Sequence, residues 1–212
     1  MEDLKRYISD NREKMLSELF DLLRIPSVSA VKSHGGDMRR TAEAIKKALL
    51  EKGADYASVM DTDGHPVVVG GKTVGPDKPT VLVYGHYDVQ PAEPLELWET
   101  EPFEPVIKPT ANHPEGAIFA RGANDDKGQM FMHLLAFEYM VKSNRLPCNV
   151  KFLIEGEEEI GSANLDKFLE KHAGELSCDV VLVSDTTMAG KELPSVMTGL
   201  RGLAYFEVTV KG

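Results

Sequence analysis

Cysteine, tryptophan and positive charge are scarce in this chain, and no long apolar run interrupts it. Cys148 and Cys178 are the only cysteines in 212 residues. That is too few for a disulfide framework, and they read as two buried free thiols in a reducing compartment. No run reaches the roughly eighteen apolar residues a membrane span needs. The first residues, Met-Glu-Asp-Leu-Lys, lack the apolar core of a secretory leader. Lys and Arg total 24 against 34 Asp and Glu, a formal charge of −10 with a pI near 5.1. Such a surface repels polyanions, which argues against nucleic acid and anionic membrane as partners. The expectation is a soluble, cytoplasmic protein that binds neither.

With 42% hydrophobic and 27% charged residues the chain has the make-up of a folded domain, which excludes wholesale disorder and fibrous repeats. Its length admits one large domain, or one domain and the beginning of another. Leu4, Ile8, Met15, Leu19, Leu22 and Leu23 recur at helical spacing, and the pattern stops at Ile25-Pro26. A second amphipathic helix is predicted from about Asp37 to Lys52, with Gly53 as its stop. Short apolar runs then follow at Pro66–Val69, Thr80–Tyr84, Ala117–Ala120, Asn149–Ile154 and Asp179–Val183. Helix-period stretches over Lys127–Lys142 and Ser162–Lys171 separate the last three. That alternation predicts an α/β fold, a three-layer αβα sandwich around a largely parallel sheet. The proline-rich stretch 93–109 reads as an extended excursion. Pro194–Gly199 reads as an approach to a strand, and the alternation of Leu203–Val210 predicts a half-exposed antiparallel strand. One such strand cannot bury its apolar side alone, so residues 200–212 are expected to open a second domain after residues 1–199.

In open α/β sheets ligands bind beyond the carboxyl ends of the strands. Four apolar runs here are followed by metal-competent side chains: His86-Tyr87-Asp88, Asn124-Asp125-Asp126, Glu157-Glu158-Glu159, and Ser184-Asp185. Histidine nitrogen with carboxylate oxygen suits a divalent metal, and a metal pair needs a shared carboxylate. Crowded carboxylates without cations would raise one another's pKa. The two-residue step from His86 to Asp88 lets the aspartate hold the second imidazole nitrogen. Of the adjacent Glu158 and Glu159, one can bind metal while the other serves as base. Each cluster also has a structural reading: an N-cap for Asp125 or Asp126, a dipole partner for 157–159, a turn for Asp185, a buried histidine for His86. Among the remaining histidines, His34, His65 and His113 read as loop residues, His172 as a helix end, and His133 as packing within a helix. Asp61-Thr62-Asp63-Gly64 reads as a turn, lacking the later ligands of a calcium loop.

Three motifs carry a family resemblance: Tyr84-Gly85-His86-Tyr87-Asp88-Val89-Gln90-Pro91, Arg121-Gly122-Ala123-Asn124-Asp125-Asp126-Lys127-Gly128, and Glu155-Gly156-Glu157-Glu158-Glu159-Ile160-Gly161-Ser162. In this order they resemble the M20 metallopeptidases. The extension Val89-Gln90-Pro91, Trp98, and Gly199-Leu200-Arg201-Gly202 are similar to its carnosinase-like dipeptidase branch. The resemblance implies a two-zinc site, with Mn²⁺ or Co²⁺ as alternatives, in which His86 and Asp185 hold one metal, Glu159 the other, and Asp125 bridges them. It implies that Asp88 orients His86, and that Glu158 is the general base for a metal-bridging hydroxide. It also implies a non-proline cis peptide at Asp125-Asp126. The substrate would be a small peptide, with N-acyl amino acids or a non-catalytic role as alternatives. The full-length protein would be a homodimer. Family members complete the second zinc site with a later histidine, beyond an inserted lid and dimerisation domain. No spare histidine here matches it, so these residues alone are expected to turn over little or nothing.

Overall fold

Apolar residues at two spacings, helical and alternating, stack into layers. The structure is a computed structural model describing residues 2–190, 193 and 195–212. Its helices are α1 (Glu2–Leu23), α2 (Gly35–Glu51), α3 (Lys127–Lys142) and α4 (Leu165–Leu176). Its strands are β1 (Tyr56–Met60), β2 (Val67–Lys72), β3 (Thr80–His86), β4 (Val106–Lys108), β5 (Ala117–Phe119), β6 (Asn149–Glu155) and β7 (Val180–Val183). The main sheet has the order β1-β2-β6-β3-β7.

Successive strand side chains point to opposite faces, and the core follows that rule. Val68, Val83, Val150, Phe152 and Ile154 face α1, α2 and α3, packing on Leu23, Met38, Ile45, Leu49, Leu134 and Phe137. The residues between them, Val67, Val69, Leu82 and Leu153, face the other way onto Phe168 and Leu176 of α4. This is the expected three-layer α/β sandwich. The sheet is mixed: β6, β3 and β7 run parallel, whereas β2 pairs antiparallel with both β1 and β6. The parallel part carries the polar clusters.

Two expectations change and one strand is added. β5 lies outside the main sheet and forms a separate two-stranded ladder with β4 inside the proline-rich excursion. Pro105 and Pro109, on either side of β4, lack the N–H that a longer ladder would need. β1 was not legible, because its mixed exposed and half-buried residues, Tyr-Ala-Ser-Val-Met, have no apolar run. The strand predicted over Leu203–Val210 is not formed: residues 195–212 have no regular structure and are exposed. Alternation marks a strand only where a partner completes the ladder, and this segment pairs with none among the described residues. Pro194, the first residue of the other predicted segment, lies outside the described residues.

A buried ion cluster fastens the helical layer. Lys52, at the end of α2, donates to Glu138 on α3 at 3.0 Å and to Glu18 on α1 at 2.5 Å. Lys142 also donates to Glu138, and Lys14 stands 3.5 Å from it. Burial is the largest influence on Glu138 and raises its pKa, but the lysine hydrogen bonds and charges together outweigh it and hold the group at about 2, against an ordinary 4.5. A carboxylate depressed in the folded state stabilises fully above its unfolded pKa, and that stabilisation disappears as pH falls through the folded value. Glu138→Gln is therefore expected to lower unfolding free energy by about 2 kcal/mol at neutral pH, because Lys52 loses one of its two carboxylate partners and keeps Glu18. Urea denaturation should find the gap to wild type closing as pH drops from 4.5 towards 2. A gap independent of pH would contradict the assignment.

Candidate metal centre

The site grows from the ends of the parallel strands. His86 is the last residue of β3 and sits opposite Glu155, the last residue of β6. Its imidazole is fully buried. Nδ1 faces Asp88, 3.1 Å from the carbonyl oxygen and 3.3 Å from Oδ1. Nε2 faces Asp125 Oδ1 at 3.1 Å, Asp185 Oδ2 at 3.5 Å and Glu158 Oε2 at 3.8 Å. The candidate ligand atoms of His86, Asp125 and Asp185 all lie within 4.8 Å of one another.

Asp88 does more than face the imidazole. Its carboxylate, also fully buried, accepts the backbone N–H groups of Glu158 at 3.2 Å and Glu159 at 3.1 Å. One side chain thus fixes the ring and the short 3₁₀ turn Glu158–Ile160 that delivers both glutamates. The turn sends them in different directions: Glu158 towards His86, and Glu159 onto the Gln90 side-chain N–H, which it accepts at 2.7 Å. Glu157 faces away and accepts from His65 N–H and from Asn164, pinning the loop before β2.

Asp125 reaches the rim by another route. It follows the β4–β5 excursion and is joined to Asp126 by a cis peptide bond. Asp126 is buried at the N-terminal end of α3, where it makes no side-chain cap to the helix and instead accepts the His86 backbone N–H at 3.0 Å. Its Oδ1 is buried without a hydrogen-bond partner. Gly85 permits this approach, because a Cβ there would lie 2.9 Å from Asp126 Oδ2 and 3.1 Å from Met130 Cβ. Next in the chain, buried Lys127 donates to the carbonyls of Leu22 and Ile25 at 3.1 and 2.7 Å, fastening the end of α1 to the start of α3.

The electrostatics favour positive charge. Burial alone, the largest influence on His86, would keep its ring neutral; the hydrogen bond and charge of Asp88, with Asp126 and Glu158, overcome it and raise the pKa to about 10. Burial pushes Asp126 up to about 7 and raises Glu158 and Glu159 as well, the neighbouring carboxylates adding to the shift. A divalent cation would remove this repulsion, and an imidazole nitrogen among carboxylate oxygens is a donor set that such cations accept. The residues present therefore fit a metal.

The profile of Peptidase family M20/M25/M40 matches residues 82–209, well over half of the chain. The chain belongs to this family. Among curated M20 relatives, the Cys-Gly metallodipeptidase dug1 of Schizosaccharomyces pombe is 31% identical over 224 residues, covering 100% of this chain and 46% of its own length. The human Beta-Ala-His dipeptidase is 30% identical, with 100% of this chain and 43% of that protein covered. Among solved structures, the M20 family metallo-carboxypeptidase Sso-CP2 of Sulfolobus solfataricus superposes with a TM-score of 0.73 at 38% identity, over 82% of this chain and 37% of that one. The chain thus spans less than half the length of each.

Sequence reasoning placed His86, Asp88, Asp125, Glu158, Glu159 and Asp185 at one rim; the structure gathers four of the carboxylates around the imidazole and ties Glu159 to Gln90. It missed Gln90, quoted only within a motif, and the buried role of Asp126, which reads as a helix cap from its position. Asp88→Ala is expected to free the imidazole and leave two half-buried N–H groups without their carboxylate, costing about 2–4 kcal/mol of stability. Chemical denaturation checks this, and a loss below the ordinary surface-mutation range would contradict Asp88 as the hub.

Proposed function

We propose that this chain carries the metal-binding part of a dipeptidase that hydrolyses peptide bonds at a pair of divalent cations. The observation that carries the reading is a single buried imidazole nitrogen, His86 Nε2, with oxygens of three carboxylates within 3.8 Å. The named dipeptidase relatives support a small peptide as substrate.

In this reading His86 and Asp185 would hold one cation and Glu159 the other, with Asp125 available to both. Zn²⁺ is the expected metal, and Mn²⁺ and Co²⁺ suit the same nitrogen–oxygen set. When bound, such cations polarise a carbonyl and make water acidic near neutral pH. Asp88 takes the Nδ1 hydrogen and so keeps the Nε2 lone pair turned to the rim. Glu159 would leave Gln90 for the second cation. Glu158 accepts the proton of the attacking water and passes it to the departing amine, a role suited to a carboxylate whose pKa burial has raised. A further histidine for the second cation, and the groups that grip the substrate, are drawn from outside these 212 residues, as the relatives' greater length allows.

The same reading takes residues 1–199 as part of the catalytic domain and 200–212 as the beginning of a lid and dimerisation domain. It makes the full-length protein a homodimer, and the free thiols Cys148 and Cys178 suit the cytoplasm. Among the described residues, no helix is long and apolar enough to cross a membrane.

In the full-length protein Glu158→Gln is expected to lower dipeptide turnover by about 10²–10⁴-fold while metal content stays unchanged. Steady-state kinetics with elemental analysis checks both, and turnover near wild type would refute Glu158 as the base. A panel of dipeptides against acetyl and succinyl amino acids tests substrate class: faster hydrolysis of the acylated compounds would make the protein a deacylase instead.

A further inference from the structure

The carboxylate of Asp185 enters the rim just beyond the end of β7. Among the described residues β7 pairs with β3. At its beginning it is fastened by Asp179, whose N–H donates to Thr80 O at 2.9 Å and whose carboxylate accepts Thr80 N–H at 2.8 Å. At its end, where position matters for Asp185, the side-chain fastening is a bond between Ser184 Oγ and His133 Nε2 at 2.7 Å. Among the described residues the Asp185 carboxylate accepts no hydrogen bond of its own, and its close polar neighbour is the His86 ring.

His133 lies on α3, about two turns from the helix start, and Asp125 lies two residues before that start. The helix is itself seated on the site: Lys127 holds the carbonyls of Leu22 and Ile25, and Asp126 holds the His86 N–H. Two of the carboxylates around His86 are therefore attached to one rigid element, Asp125 through the chain and Asp185 through the His133–Ser184 bond. We propose that His133 is a positioning residue which, through Ser184, sets the spacing of Asp185 from Asp125 and so the fit of the site for a cation. The packing role expected of a histidine inside a helix becomes a second-layer support for a ligand.

The inference rests on the reading of His86, Asp125 and Asp185 as metal ligands, and the test separates the two. Zn²⁺ binding to the full-length protein is measured by calorimetric titration for wild type, His133→Ala, Ser184→Ala, the double variant, His133→Gln and Asp185→Asn. Helix content is followed by circular dichroism, and Ser184→Ala probes the same bond from a loop should His133→Ala unsettle α3. The expected result is about tenfold weaker binding in either single variant. The double variant should lose no more than either single, since both remove one interaction. His133→Gln, which keeps a hydrogen-bonding end, should restore binding towards wild type. Unchanged affinity in both single variants, or losses that add in the double variant, would overturn the inference while weakened binding in Asp185→Asn leaves the ligand reading standing. Full binding in Asp185→Asn would overturn both.

Discussion

Four carboxylates, of Asp88, Asp125, Glu158 and Asp185, surround one buried imidazole, and their repulsion is the constraint to which the neighbouring structure answers. Without positive charge on the ring the arrangement would be costly chiefly for Asp88, whose buried carboxylate has little water to screen it, whereas Asp125, Glu158 and Asp185 reach towards solvent. The folded chain meets part of that cost itself. Asp88 is satisfied by two backbone N–H groups, Asp126 accepts a third on one of its two oxygens, and Glu159 accepts from the Gln90 amide. The imidazole, raised to about 10, supplies the positive charge that a cation would otherwise bring. Proton and metal compete for one nitrogen there, so metal affinity is linked to pH through the same ring.

The scaffold explains why this crowd can be assembled. Parallel pairing of β3 with β6 and β7 brings His86, the 158–159 turn and Asp185 to one edge. Gly85 lets α3 settle against β3, and that contact carries Asp125 in from outside the sheet. Away from the rim, the Lys52–Glu138 cluster and the buried Lys127 hold the three helices that back this edge.

Much of this was legible in the sequence, for identifiable reasons. Parallel strands leave contiguous apolar runs, and the polar residues after each run must emerge at one rim, which is why His86, Glu158 and Asp185 could be placed together. α3 matched its predicted limits, Lys127–Lys142, because its apolar residues recur without interruption. Legibility ended where a third partner decides. β5 has the apolar character of a core strand yet pairs in the outer hairpin, and Leu203–Val210 alternates like a strand without a ladder to join. The opposite directions of Glu158 and Glu159 depend on a 3₁₀ turn anchored by Asp88, a long-range contact that spacing does not encode. His133 shows the same limit, since its partner is fifty-one residues away.

The central claim is that a divalent cation occupies the space bounded by His86, Asp125 and Asp185. Anomalous diffraction from crystals of the zinc-loaded full-length protein tests it most directly. The account predicts a zinc peak about 2.0–2.1 Å from His86 Nε2, with carboxylate oxygens of Asp125 and Asp185 at about 2.0–2.2 Å. A zinc peak held by other residues, with the His86 ring bound only to carboxylates, would contradict it.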